Sequence, residues 1–299
     1  MKQLHFHHPL TAEQSRLLER LCERLQDVQP GLIAVSGGLD SRFLAHVAHW
    51  QGLDFRALLF TTPLVSLEER QTAEATVRRM GMPFTAVALN PLQCAEVARN
   101  EPERCYHCKR FLFSRARELA ADWGGAHILD GTQADDLEEH RPGLAALGEL
   151  SIKSPLAEIG LGKAALRQLA RAVGVDRPDQ PSRPCLLTRF AYGYAPSEEE
   201  LAHVGAAEEA LLRQGLGPLR VRVLRGGKAC LQLAASSPTL DHAQKAFVSQ
   251  TLRAHGLSPF ELITTDSLSG FFDGACRTLH AEPQGAENQA QAPGDPCER

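Results

Sequence analysis

The chain has 299 residues, 43% of them hydrophobic and 23% charged, with a formal net charge of −4. That length suits one large or two smaller domains with ample core, and the composition is that of an ordinary globular protein. The acidic balance gives nucleic acid no global basic field, no apolar run reaches membrane-spanning length, and MKQLHFHHPL lacks the apolar region of a signal peptide. The expectation is a cytoplasmic protein with reduced cysteines and with neither nucleic acid nor membrane as partner.

In chain order, residues 12–25 read as an amphipathic leader helix. An apolar strand over 31–35 runs into Ser36-Gly37-Gly38-Leu39-Asp40-Ser41, followed by a helix over 42–50. A strand is expected at 55–60, and a helix at 66–80 with Ser66 and Glu69 as a capping box and Gly81 as its stop. An alternating strand over 84–89 follows, then a helix over 105–123, and a fourth strand over 127–130 that ends at Gly131-Thr132. Strands alternating with helices predict an α/β fold with a doubly wound parallel sheet, whose ligands bind at the carboxyl ends of the strands. SGGLDS and Asp130-Gly131-Thr132 both fall at such ends.

A helix over 163–173 precedes a loop over 176–184 with prolines at 178, 181 and 184. Beyond it the pattern changes. A helix over 197–214, a hairpin of strands 219–224 and 229–233 around Arg225-Gly226-Gly227-Lys228, a helix over 240–254 and a strand over 260–264 predict a smaller α+β domain. Residues 281–299, rich in Pro, Gln, Gly and Ala, read as a disordered tail. The expected division is 1–180, 181–280 and the tail.

SGGLDS carries the most chemistry. Gly37 and Gly38 permit close approach of backbone to ligand, and the free N–H groups at a helix start suit a phosphate. Ser36 and Ser41 add hydroxyl donors. Asp40 makes sense beside a phosphate only with a cation, and Mg²⁺ fits. No Gly-Lys-Ser/Thr follows, so this is not a Walker A loop. The string resembles the PP-loop of ATP pyrophosphatases, which implies ATP as ligand.

Cys105 and Cys108 form a C-x-x-C in Arg104-Cys105-Tyr106-His107-Cys108-Lys109. At a helix start, beside Arg104 and Lys109, both thiols are expected to be acidified. Cys185 lies on the proline-rich loop between Arg183 and Arg189, which would stabilise a thiolate. Structural zinc, a redox pair, an iron–sulfur site and coincidence all remain open for the C-x-x-C from its spacing. Cys22, Cys94, Cys230, Cys276 and Cys297 read as plain thiols.

Together with SGGLDS, the segments RCYHCK at 104–109, DGTQADD at 130–136, RPGLAAL at 141–147, KSPLAEIGLGKAALRQLA at 153–170 and PCLLTR at 184–189 resemble the LarE family of ATP-dependent sulfur transferases, within the PP-loop group. The likeness spans roughly residues 15–280. It implies adenylylation of a carboxylate of pyridinium-3,5-biscarboxylic acid mononucleotide, then exchange of oxygen for sulfur, toward the nickel-pincer nucleotide cofactor of lactate racemase. The substrate would be a small-molecule nucleotide and the protein a homo-oligomer. One kind of member sacrifices a single cysteine at the position of Cys185; the other carries three cysteines and a 4Fe–4S cluster. Cys105, Cys108 and Cys185 make this chain resemble the second kind.

The resemblance assigns Ser36, Gly37, Gly38, Asp40 and Ser41, with Gly131, Thr132 and Asp135, to ATP and Mg²⁺. Arg220 and Arg222, alternating onto one side of a strand, are expected to hold the substrate phosphate, and Tyr106 to stack on its ring. Glu208 matches a family acid and is expected to act as a base near Cys185. For each residue a plain role stands beside the functional one: a helix cap for Asp135, a solvated face for the two arginines, a surface position for Glu208. A PP-loop tRNA thiolase and a non-catalytic nucleotide or iron–sulfur sensor are the alternatives.

Overall fold

The computed structural model describes residues 6, 8–138 and 141–275; the expected tail, with Cys276 and Cys297, lies outside them. Helix α1 (Ala12–Asp27) is opened by a reciprocal capping box between Thr11 and Gln14, and it buries Leu18, Leu21 and Leu25. Strands β1 (Gly31–Ala34), β2 (Phe55–Thr61), β3 (Phe84–Ala88) and β4 (His127–Leu129) form a parallel sheet in the order β3-β2-β1-β4. The chain steps outward from β1 to β3 on one side and returns to the other side of β1 as β4. The order therefore reverses between β1 and β4, where open α/β sheets bind ligands.

Side chains alternate across this sheet, as a period of two requires. Leu32, Leu58 and Ile128 point to one face, where they pack with Phe113, Ala116 and Ala120 of α5 (Arg104–Asp122). Ile33, Ala57, Leu59 and Leu129 point to the other face, against α1, α2 (Leu39–Trp50), α3 (Leu67–Met80) and α8 (Lys163–Ala172). Between these elements lie three short helices that periodicity did not anticipate: α4 (Ala95–Ala98), α6 (Gly143–Glu149) and α7 (Pro155–Glu158). Each is too short for a repeating apolar stripe to register.

A second core surrounds α9 (Glu198–Arg213), β5 (Leu219–Val223), β6 (Ala229–Ala234), α10 (His242–Ala254) and β7 (Phe260–Thr265). β5 and β6 pair antiparallel around the predicted hairpin, and β7 adds parallel to β6. Leu64 and Val97 from the first half of the chain enter this core, as do Leu186, Leu187 and Phe190, so the segment just after Cys185 is anchored in it. Among the described residues no helix is long and apolar enough to cross a membrane.

Two boundaries differ from expectation near the ligand edge. α2 begins at Leu39, which puts Asp40 and Ser41 in its first turn. β4 ends at Leu129, which frees Asp130 to accept from the Thr132 hydroxyl (2.6 Å) and the Ser154 hydroxyl (2.7 Å).

Candidate active site

SGGLDS is shaped by its own hydroxyls. Ser41 Oγ accepts from Ser36 N–H (3.2 Å), lies 3.3 Å from Ser36 Oγ and donates to the Gly38 carbonyl (3.2 Å). Gly37 stands at φ +85°, a left-handed conformation that glycine alone adopts freely. The loop is closed from the adjacent strand end by Gly131. A Cβ there would lie 2.7 Å from Ser41 N, so only hydrogen lets the end of β4 meet the first turn of α2. Gly131 and Thr132 are thus brought against the loop, as the sequence predicted.

A cavity of about 490 Å³ opens at this junction. Ser36, Gly38, Asp40 and Ser41 line it on one side, Gly131, Thr132 and Asp136 on another, with Phe60 and Phe113 at its apolar end. Asp135 does not line it. Its carboxylate instead accepts from Lys163 N–H (3.0 Å) and caps α8, while Asp136 takes the wall position. Burial, and then the Asp136 charge, hold the Asp40 carboxyl above the usual carboxylate range, against the pull of Lys163, Arg167 and Arg141. Two carboxylates on this cavity would suit Mg²⁺ if phosphates entered it, since that ion is held by one or two carboxylates and by the phosphates themselves.

A second cavity of about 320 Å³ runs from the same loop to the proline-rich segment. Ser36, Gly38 and Asp40 form one end, Arg183 and Cys185 the other, and Lys163 and Arg167 the side. Two loops separated by some 140 positions therefore share one space. Lys163 and Arg167 were not singled out by the sequence reading, because basic residues on an amphipathic helix read as a solvated face.

The Cys185 loop is held by buried arginines. Arg189, 2% exposed, pairs with both oxygens of Glu208 (3.0 and 2.9 Å) and donates through Nη1 to the Pro184 carbonyl (2.7 Å). It serves the loop backbone rather than the thiol. Glu208 also accepts from Val221 N–H (2.8 Å), so this residue is a buried ion-pair partner and not a surface glutamate. Arg220 and Arg222 share one side of β5, as alternation predicts, but that side is buried. Arg220 donates to the Leu219 and Ser182 carbonyls, both at 2.9 Å. Arg222 donates to Gln232 (2.9 Å), to the Thr188 carbonyl (2.7 Å) and to the Leu268 carbonyl, with its guanidinium 5.1 Å from the Phe271 ring centre. Burial and the neighbouring Arg189 push Arg220 down to about 10 and Arg222 down to about 9.

The cysteines depart from expectation in charge. Loss of water, reinforced by Cys185, raises the Cys105 thiol although the residue keeps an exposed edge, with Arg104, Lys109 and Arg141 opposing; burial reinforced by Cys185, Cys105 and Cys94 raises Cys108 against Lys109. Desolvation outweighs the helix start and these cations. Cys94, read as a plain thiol, borders the second core together with Cys108 and Cys185. Among the described residues no three His, Cys, Asp or Glu side chains converge to hold a single metal ion. A 4Fe–4S cluster asks for a different arrangement, one thiolate on each of three irons. Cys105, Cys108 and Cys185, mutually within electrostatic reach, fit that donor chemistry. Tyr106 stands apart from both cavities, its hydroxyl donating to Glu149 (2.9 Å) and its ring under Arg110.

No protein-family model matches the chain. An uncharacterized protein of Synechocystis sp. is 36% identical over 69% of the chain and 77% of its own length. A pyridinium-3,5-bisthiocarboxylic acid mononucleotide synthase of Lactiplantibacillus plantarum is 31% identical over 68% of the chain and 74% of its own length. The chain belongs to the pyridinium-3,5-bisthiocarboxylic acid mononucleotide synthase family. The LarE resemblance read from the motifs is thereby upheld at the level of family. An NH(3)-dependent NAD(+) synthetase of Mannheimia succiniciproducens is 31% identical over 29% of the chain, a narrower likeness that agrees with a PP-loop α/β fold. The Lactiplantibacillus plantarum relative is a synthase and the Mannheimia succiniciproducens one a synthetase, and the chain is an enzyme on that ground.

Proposed function

We propose that this protein is an ATP-dependent sulfur transferase. It adenylylates a carboxylate of pyridinium-3,5-biscarboxylic acid mononucleotide and replaces the activated oxygen by sulfur, a step toward the nickel-pincer nucleotide. The observation that carries this reading is the 320 Å³ cavity with Asp40 and Gly38 at one end and Cys185 at the other, since activation and sulfur delivery must meet at one carbon atom.

A carboxylate resists substitution because oxide would have to leave. Its attack on the α-phosphate of ATP gives an acyl adenylate, whose leaving group is AMP, and pyrophosphate departs. The loop N–H and hydroxyl groups of Ser36, Gly38 and Ser41 orient the phosphates, and Lys163 and Arg167 face them across the cavity. Asp40 and Asp136 would hold Mg²⁺, which supplies charge neutralisation when bound. Arg220 and Arg222 set a positive field for the substrate phosphate beside the Cys185 loop. Glu208 orients Arg189, and Arg189 orients Cys185. Cys105, Cys108 and Cys185 would hold a 4Fe–4S cluster, which supplies transferable sulfide when bound.

The test is to incubate the anaerobically purified protein with Mg-ATP and the dicarboxylate mononucleotide. AMP, pyrophosphate and a sulfur-containing product are expected from the parent and none of them from Asp40→Ala, with no mobility shift of bulk tRNA. Pyrophosphate release by Asp40→Ala at the parent rate, or sulfur delivered to tRNA, overturns the assignment.

A further inference from the structure

Arg42 follows SGGLDS directly and is fully buried, the largest such side chain among the described residues. It has no part in the mechanism above. A guanidinium in the interior persists only if its donors are met. Here Nε donates to the Gly37 carbonyl (3.1 Å), Nη1 to the Asp176 carbonyl (2.7 Å) and Asp176 Oδ1 (2.6 Å), and Nη2 to Gln180 Oε1 (2.9 Å). One nitrogen thus serves the nucleotide loop, and the other two serve the start of the segment that ends at Cys185.

The consequence at the nucleotide loop follows from peptide geometry. In a planar trans peptide the C=O and the next N–H point to opposite sides. Arg42 holds the Gly37 carbonyl inward, so the Gly38 N–H faces the other way, toward the cavities that Gly38 lines. There it meets only Ser36 Oγ, at a long 3.4 Å, a contact that a phosphate oxygen would replace. At the other end of the fork, Asp176 and Gln180 begin a segment whose later carbonyls, at Ser182 and Pro184, are held by Arg220 and Arg189.

We infer that Arg42 is a positioning residue that couples nucleotide binding at SGGLDS to the ordering of the Cys185 loop. The inference rests on the ATP assignment above. Because Arg42 favours one peptide orientation at Gly37 and one placement of residues 176–180 together, occupancy of the loop by phosphate stabilises both, and the coupling runs in both directions.

The test is hydrogen exchange of full-length protein, read by mass spectrometry over 176–184, with and without α,β-methylene ATP. In the parent the analogue should slow exchange of this segment about tenfold, a typical coupling magnitude. In Arg42→Lys, and in Gln180→Ala should the former fail to fold, the slowing should fall to within about threefold at saturating analogue, with exchange over β5 and β6 unchanged. Asp176 lines neither nucleotide cavity, yet Asp176→Asn should weaken binding of the analogue by about fivefold or more. A merely structural role would raise exchange equally in both states. Full slowing retained in Arg42→Lys or Gln180→Ala, or an unchanged Kd in Asp176→Asn, overturns the inference. If the parent fails to bind the analogue at all, the ATP assignment falls with it; if the parent binds and turns over ATP without slowing 176–184, this inference alone falls.

Discussion

Replacing Glu208 by Gln separates two accounts of one residue. Its carboxylate takes Arg189 on both oxygens and Val221 N–H on one, at side-chain exposures of 7% and 2% for the ion pair. The amide keeps one acceptor and turns an N–H₂ toward the Arg189 guanidinium, leaving a buried cation without its counter-charge. Breaking such a pair on one side costs about 3–5 kcal/mol. At about 2–4 °C per kcal/mol for a chain of this size, the melting temperature should fall on the order of 10 °C. Arg189→Met combined with Glu208→Met should recover most of that loss, since removing both charges is often close to neutral, short of about 1–3 kcal/mol for the orphaned Val221 N–H. Activity should divide as well. Arg189 holds the Pro184 carbonyl, so Glu208→Gln should impair sulfur transfer while pyrophosphate release, centred on SGGLDS, stays near parent. Thermal denaturation by circular dichroism, with pyrophosphate and product assays on the same preparations, checks both. A Glu208→Gln protein that melts with the parent and yet transfers no sulfur would refute the positioning role and make Glu208 a chemical base.

Gly131→Ala should drive a methyl group into Ser41 N and weaken nucleotide binding by about tenfold, at an overpacking cost of about 1–3 kcal/mol; calorimetric Kd and urea midpoints read the two separately. Alanine at Cys105, Cys108 or Cys185 should each lower iron and sulfide content in anaerobic protein, whereas stoichiometric dehydroalanine at Cys185 in active, iron-free protein would favour sacrifice of that cysteine instead. Burial pushes the Cys230 thiol up to about 11 from 9.0, so the folded protein keeps this proton in a range where the unfolded chain has released it. Stability from this group is therefore present below pH 9 and lost as pH rises toward 11, by roughly 3 kcal/mol at about 1.4 per unit. Cys230→Ala should flatten the slope of unfolding free energy against pH between those limits, and an unchanged slope would contradict the burial argument.

What the sequence made legible is what short-range pattern encodes. The four parallel strands, the SGGLDS turn and the hairpin at Arg225-Gly226-Gly227-Lys228 follow from apolar runs and glycine placement, each within a few residues. Illegible were properties set by depth. From the string, Arg220 and Arg222 are expected to hold a substrate phosphate, Glu208 to act as a base and Arg189 to stabilise a thiolate. That all four are buried and spend hydrogen bonds on one another and on backbone is hidden, because sequence gives the direction of a side chain on a strand or helix, not what covers it. The acidified thiols failed for a related reason: Arg104 and Lys109 are visible in the string, while the partial burial of Cys108 and the approach of Cys185 to both thiols are not. Asp135 and Asp136 were separable only once α8 had docked its first N–H on one of them.

The buried charges around Cys185 share an imbalance that bears on the substrate. Three guanidinium groups, those of Arg189, Arg220 and Arg222, gather around the carboxylate of Glu208, with Glu69 also acting on Arg220, and repulsion among the cations adds to burial in depressing Arg220 and Arg222. Folding tolerates that excess because backbone carbonyls of Ser182, Pro184, Thr188 and Leu268 accept from the guanidinium groups, and those of Ser182, Pro184 and Thr188 flank Cys185. The arginines therefore do two things with one charge. They fix the loops through hydrogen bonds, and under the proposed function their excess charge favours a phosphorylated dicarboxylate beside the Cys185 loop. A neutral acceptor would gain nothing from that charge, and a cationic one would oppose it. Under the proposed function, the same loop-holding network that looks structural residue by residue would also select, as a field, for an anionic substrate.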